Sequence, residues 1–299
     1  MRLIAFVAAL LAAAPAAAWE TRRLTLEHDG RSRSAILDAA PGLQDAPLLI
    51  ALHGGIGGAS MVRRRAAVSL PARGWAVLWP EAVADWSDGR RDRAGRPYDD
   101  EDDVGFLRAL VARLTAEGMV DPSRVFVAGP SIGGMMTLRM VCEAPDLVAG
   151  AAVAIAAMPE GLDCPDGPPA PMLLLHADAD RIVPPEGGRI GGDSLLVRDR
   201  GRVRPVAETV ALFARRNGCE GYVETAIPDR DPTDGSTAVR RDYEGCAAPL
   251  VHYVVAGGGH TWPGSRPFRM GAALIGATNQ DFSATAALES FFEALARRD

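Results

Sequence analysis

Five short apolar runs constrain this chain more than any other feature. They cover residues 47–53 (PLLIALH), 75–79 (WAVLW), 124–129 (RVFVAG), 151–157 (AAVAIAA) and 171–176 (PMLLLH). Each is apolar at nearly every position rather than at alternate ones. That pattern suits strands covered on both faces, as in a parallel sheet. Between them, residues 102–117 carry Val104, Leu107, Leu110, Val111 and Leu114 at helical spacing. Residues 60–70, 132–142, 205–217 and 283–296 also read as helices, the last presenting Leu288, Phe291, Phe292 and Leu295 on one face. Residues 24–28 and 34–39 suggest an opening antiparallel pair that turns at Asp29-Gly30, and 222–227, 238–243 and 250–255 are short strands. The expected fold class is α/β, with a mostly parallel central sheet and helices on both faces. No repeat or linker divides the chain, so a single domain is expected. Residues 85–100 and 182–204 form long polar connections, the kind that often carry function.

The first residues read differently. Arg2 precedes an apolar run over 3–11, and Ala16-Ala17-Ala18 then meets Trp19. This is the layout of a secretory signal peptide, cleaved after Ala18. The expected division is a signal peptide at 1–18 and one domain at 19–299, secreted or periplasmic. The apolar run is too short to span a bilayer. The net charge of −6, or −7 without Arg2, argues against nucleic acid or an anionic membrane as partner. Every basic residue is arginine, so P-loop, Schiff-base and Ser-Lys chemistries are excluded. Four cysteines, Cys142, Cys164, Cys219 and Cys246, allow three pairings. Cys142–Cys164 and Cys219–Cys246 are favoured because each closes a short loop. Zinc is disfavoured, since no C-x-x-C pair or nearby histidine supplies ligand spacing.

Chemistry concentrates at Gly129-Pro130-Ser131-Ile132-Gly133, a G-x-S-x-G element between a buried strand and a helix. A sharp turn there exposes the serine hydroxyl, and its glycines avoid clashes with neighbouring backbone. Ser131 is the candidate nucleophile. It needs a base. Of five histidines, His260 alone follows a strand and lies in a glycine-rich loop, Gly257-Gly258-Gly259-His260. The orienting acid should follow the 171–176 strand, where Asp178 and Asp180 both qualify, with Asp180 preferred. The oxyanion needs backbone donors, expected from Ile132 and from Gly55 in His53-Gly54-Gly55, with Ile56 next. His53 itself reads as structural. Trp86 and Trp262 are candidate walls for an acyl or aryl group, though tryptophans serve as often in cores. Arg90, Arg91 and Arg93 are weaker candidates for contact with an acidic substrate. Asp102 and Asp103 read chiefly as charges at a helix start.

Taken together, ALHGG, Asp102-Asp103-Val104-Gly105-Phe106, GPSIGGMM, CEAPDL, HADADRIVPPEGG, NGC and GGGHTWPG occur in one order. That order resembles the polyhydroxybutyrate depolymerase and feruloyl esterase family, which includes LpqC-type lipoproteins and exported esterases. The resemblance covers nearly all of residues 19–299. It implies an α/β-hydrolase fold and carboxylic ester hydrolysis, and it places the acid at Asp180. Small departures are Ala177 for the usual glycine, Arg181 for the usual proline, and Ile132 for a common asparagine. Ile132 would act through its amide, so that change need not harm catalysis. No cysteine follows Ala18 closely, so no lipid membrane anchor is expected.

The function expected from these residues is an exported serine esterase. It would act on a small-molecule or polymeric ester through an acyl-enzyme, with no cofactor and no metal. Feruloyl or acetyl esters of polysaccharide and hydroxyalkanoate oligomers are the substrate classes in view. A serine peptidase-like hydrolase and a non-catalytic carbohydrate-binding protein on the same scaffold are the alternatives.

Overall fold

The structure is a computed structural model, and it describes residues 19–55, 57–192, 199–267 and 272–297. The expected signal peptide lies outside the described residues, as do Ile56 and part of the 182–204 connection.

A ten-stranded sheet forms the centre of the molecule. Its strands are β1 (Glu20–His28), β2 (Arg31–Ala39), β3 (Ala46–Ala51), β4 (Ala76–Pro80), β5 (Val120–Pro130), β6 (Gly150–Ala154), β7 (Met172–Ala177), β10 (Gly221–Ile227), β11 (Thr237–Glu244) and β12 (Leu250–Ala256). The spatial order is β1-β2-β4-β3-β5-β6-β7-β12-β11-β10. From β4 through to β12 neighbours run parallel, while β1–β2, β2–β4, β12–β11 and β11–β10 are antiparallel. The short strands β8 (Gly188–Arg189) and β9 (Arg202–Val203) form a separate pair inside the long polar connection. A two-residue pair carries no periodicity, so the sequence does not announce it.

Helices cover both faces. They are α1 (Gly58–Ala66), α2 (Asp103–Ala116), α3 (Ile132–Glu143), α4 (Val206–Arg216), α5 (Ala272–Ile275) and α6 (Ala284–Ala296), with a 3-10 turn at Leu70–Arg73. Alternation along each strand sorts its side chains between two cores. Leu48, Ile50, Val125, Val127, Met172 and Leu174 join Phe106, Leu110, Met136 and Phe213 from α2, α3 and α4. Leu49, Phe126, Leu173 and Leu175 join Leu70, Leu288 and Phe292 on the opposite face. This explains the unbroken apolar runs: both alternating sets of side chains meet a helix layer.

Two disulfides are present, Cys142–Cys164 and Cys219–Cys246. The first ties the end of α3 to the β6–β7 connection, and the second joins the end of α4 to the turn after β11. No helix among the described residues is long and apolar enough to cross a membrane.

Candidate active site

The residues singled out for chemistry converge at the carboxyl edge of the parallel strands, the edge where ligands bind in open α/β sheets. Ser131 stands between β5 and α3 with φ 55 and ψ −127. A non-glycine residue at positive φ is uncommon and signals a constrained turn. The surrounding packing holds it there. A Cβ on Gly133 would lie 2.5 Å from the His53 carbonyl oxygen and 2.6 Å from that of Leu52. Only glycine allows the elbow to sit this close to the end of β3. The Ser131 amide donates to the Ala154 carbonyl at 2.9 Å, and the Ser131 carbonyl accepts from Met135 at 2.9 Å.

His260 arrives from the loop after β12. Its backbone amide donates to Ile275 at 2.5 Å, and the Gly259 amide donates to Ala277 at 2.9 Å. A Cβ on Gly259 would lie 2.0 Å from the Ile275 carbonyl oxygen, so this loop packs tightly against the segment around α5. Ser131 Oγ lies 3.0 Å from His260 Nε2, and Asp180 Oδ2 lies 2.7 Å from Nδ1. A carboxylate only accepts, so Nδ1 carries the proton and Nε2 is left to accept the serine O–H. Asp180 is buried, and its other oxygen accepts from the Ile182 and Val183 amides at 2.8 and 2.9 Å. Those two bonds set the carboxylate plane.

Asp178, the other acid in the same turn, faces elsewhere. Its side chain is exposed and accepts from the Gly257 amide at 2.7 Å. It anchors the start of the histidine loop.

The His53-Gly54-Gly55 turn lies against the elbow. A Cβ on Gly54 would be 3.6 Å from Ser131 Cβ, and one on Gly55 would be 3.7 Å from Ile132 Cδ1. Ile132 opens α3, and the first amides of a helix have no partner within it. His53 braces the turn: Nδ1–H donates to the Gly54 carbonyl at 2.8 Å, and Nε2 accepts from the Ala82 amide at 3.1 Å.

Trp86 requires a correction. It is fully buried, so it offers no wall to a substrate. Its indole N–H donates to the His53 carbonyl at 2.9 Å, and its ring lies 4.9 Å from the His53 ring. Trp262 is half-buried beside the α6-side core, with its indole N–H donating to Thr285 Oγ1 at 3.0 Å. It borders a groove of about 280 Å³ with Arg65, Pro263 and Ala286. Arg90 is likewise buried, its Nε donating to both Asp88 oxygens at 2.8 Å. It braces its own loop instead of meeting solvent. Asp102 caps α2 by accepting from Gly105 at 2.9 Å, and Asp103 pairs with buried Arg33 at 2.6 Å.

Sequence reasoning passed over a buried histidine pair under this edge. His176 Nε2–H donates to the Ala156 carbonyl at 2.7 Å, and His176 Nδ1 lies 3.1 Å from His252 Nε2. Burial pushes His176 down to about 4, against the opposing pull of its Ala156 bond and of Asp180. Burial, then His176 and Arg241, hold His252 well below the usual histidine range.

Comparison with known proteins adds to this geometry. No family model matches the chain. NocK of Nocardia uniformis subsp. tsuyamanensis, named as an esterase, is 37% identical over 273 residues, 85% of this chain and 77% of its own. Feruloyl esterase B of Piromyces equi is 28% identical over 198 residues, 61% of this chain and 34% of its own, so this chain spans about a third of that relative. Among solved structures, the acetyl xylan esterase from Aspergillus awamori superposes with a TM-score of 0.55 at 15% identity, over 85% of this chain and 97% of that one. That likeness concerns the fold. At 37% identity to NocK across most of both sequences, the chain belongs to the same esterase family, it has the α/β-hydrolase fold, and it is an ester-hydrolysing enzyme.

Proposed function

We propose that the chain is an exported serine esterase working through Ser131, His260 and Asp180. The observation that carries this reading is the hydrogen-bonded line from Ser131 Oγ through the His260 ring to Asp180. Ser131 Oγ attacks the ester carbonyl while His260 Nε2 takes its proton. Asp180 stabilises the imidazolium and keeps Nδ1 protonated. The amides of Ile132 and Gly55 hold the oxyanion; one such donor is typically worth about 3 kcal/mol in the transition state. The alcohol departs with the proton held on His260. Water then attacks the acyl-enzyme, passes a proton to Nε2, and frees the acid and Ser131. Nothing in this sequence of steps calls on a cofactor.

For substrate, the family favours carboxylic esters of polysaccharide, feruloyl or acetyl, with hydroxyalkanoate oligomers as the other class. Export rests on the leader pattern over residues 1–18 and on the two disulfides, which persist in oxidising compartments.

Ser131→Ala tests the nucleophile. Hydrolysis of p-nitrophenyl acetate and labelling by a fluorophosphonate probe should both vanish, while the circular dichroism spectrum stays unchanged. Persistent turnover in that variant refutes the assignment. Parallel rates on methyl ferulate, acetylated xylan and hydroxybutyrate oligomers rank the substrate classes.

A further inference from the structure

The backbone beneath Ser131 is unusual. Ile155 directly follows β6 and has φ 46, the left-handed region that a β-branched side chain resists. Its neighbours touch the elbow on both sides. The Ala154 carbonyl accepts from the Ser131 amide at 2.9 Å. A Cβ on Gly134 would lie 2.7 Å from Ala156 Cβ, so the first turn of α3 rests on Ala156. Two constrained residues, Ser131 and Ile155, are thus coupled by one hydrogen bond.

The Ile155 turn is packed in the core, and hydrogen bonds fix the direction of its backbone. The Ile155 amide donates to the Leu175 carbonyl at 2.8 Å. Another polar contact comes from a side chain: His176 Nε2–H to the Ala156 carbonyl at 2.7 Å. A carbonyl only accepts, so Nε2 bears the His176 proton and Nδ1 is bare. Nδ1 then accepts from His252 Nε2–H at 3.1 Å, with the rings edge to face at 5.2 Å. His252 Nδ1 closes the chain with no partner among the described residues. The charged groups acting on this pair are Asp180, on the loop after β7, and Arg241 on β11. Two buried imidazoles among apolar strand residues are costly to desolvate, and leucine would satisfy a core. Their hydrogen bonds run to the turn under the nucleophile.

We propose that His176 is a positioning residue for Ser131: backed by His252, it clamps the Ala156 carbonyl and so holds the strained Ile155 turn that supports the nucleophile's backbone. This rests on the reading of Ser131 as nucleophile. His176 touches neither substrate nor the reacting atoms. It acts through Ala156, Ile155 and Ala154.

The test compares His176→Leu, which cannot donate to Ala156, with His176→Gln, which retains an N–H donor. Misplacing a reacting group by an ångström costs up to about a hundredfold, so kcat for p-nitrophenyl acetate in His176→Leu should fall about ten- to a hundredfold with KM nearly unchanged. Fluorophosphonate labelling should slow in parallel, and His176→Gln should recover most of the loss. Ile155→Gly removes the strain that the clamp opposes. In that background the His176→Leu loss should shrink to less than about threefold, a non-additivity expected of coupled sites. Folded His176→Leu with wild-type kcat and labelling, or a loss that simply adds to that of Ile155→Gly, overturns the proposal. If His176→Leu does not fold, nitrogen-15 spectra of the unaltered enzyme decide. A neutral ring protonated on Nε2 at pH 7 supports the clamp, and protonation on Nδ1 overturns it. Ser131→Ala separates the two readings: an active Ser131→Ala sinks both, whereas an inactive one beside an unimpaired His176→Leu sinks the clamp alone.

Discussion

Two histidine environments lie at the same edge of the sheet, and their difference shows how one side chain serves opposite ends. His260 sits in a loop between a hydroxyl and a buried carboxylate. Gaining a proton at Nε2 leaves Asp180 facing a cation, so the charged ring is stabilised where it forms. His176 and His252 are buried within adjacent strands, between a carbonyl, another ring and apolar side chains. Among the described residues, no carboxylate is hydrogen-bonded to either ring. Both sites use ring nitrogens fully or nearly so. In the proposed roles, the neighbour on the far side of the ring decides whether it moves protons or braces backbone.

The sharpest break of this comparison lies in the loop site. His260→Ala should lower kcat by about 10⁶-fold and Asp180→Asn by about 10⁴-fold, the scales seen when a serine hydrolase loses its base or its orienting acid. Asp178→Asn keeps an oxygen for the Gly257 amide, so its kcat should change by less than about threefold. Steady-state rates on a p-nitrophenyl ester check all three. A large loss at Asp178 with little at Asp180 would reverse the assignment of the acid.

Next in size is the acid response of the buried pair. His176 is depressed from 6.5 to about 4, so the folded state excludes a proton that the unfolded chain accepts. Stability from this group is complete above pH 6.5 and is lost as pH falls through the window down to about 4. At pH 4.5 the loss from His176 should reach about 2–3 kcal/mol, and His252 adds in the same direction. Urea unfolding at pH 7.5, 5.5 and 4.5 reads this directly. A flat profile would mean that the pair gains protons as easily as an exposed histidine.

The loop site was legible in sequence, and the buried one was not, for a physical reason. Ser131 announces itself locally, because a strand, a glycine-flanked serine and a helix are contiguous. His260 stands out because its loop is rich in glycine and follows a strand. Asp178 and Asp180 share one turn after one strand, and bare pattern could only lean towards the second. What separates them is three-dimensional: one carboxylate is exposed beside Gly257, and the other is buried against Ile182 and Val183. His176 and His252 meet only because β7 and β12 become sheet neighbours. Nothing near either in sequence reports the other. The strain at Ile155 is equally silent, since an isoleucine in an apolar run reads as ordinary strand. Trp86 misled in the opposite direction: a tryptophan in a polar connection looks available, but the folded loop turns it inward under His53.

That buried tryptophan gives the mildest way to sharpen the comparison. His53 resembles His176, with both nitrogens committed to backbone at Gly54 and Ala82, and it braces the turn that carries the proposed oxyanion donor. The Gly54 carbonyl is held by Nδ1–H, so the Gly55 amide in the same trans peptide must point the opposite way. Trp86 supports this from behind through one bond to the His53 carbonyl. Trp86→Phe deletes that bond while leaving a ring against His53. It should cost about 1 kcal/mol of stability, the net worth of one neutral hydrogen bond, plus some packing. The turn keeps its His53 bonds, so kcat should fall by less than about tenfold, far short of the triad variants. A loss of about a thousandfold instead would mean that the indole, and not His53, sets the direction of the Gly55 amide.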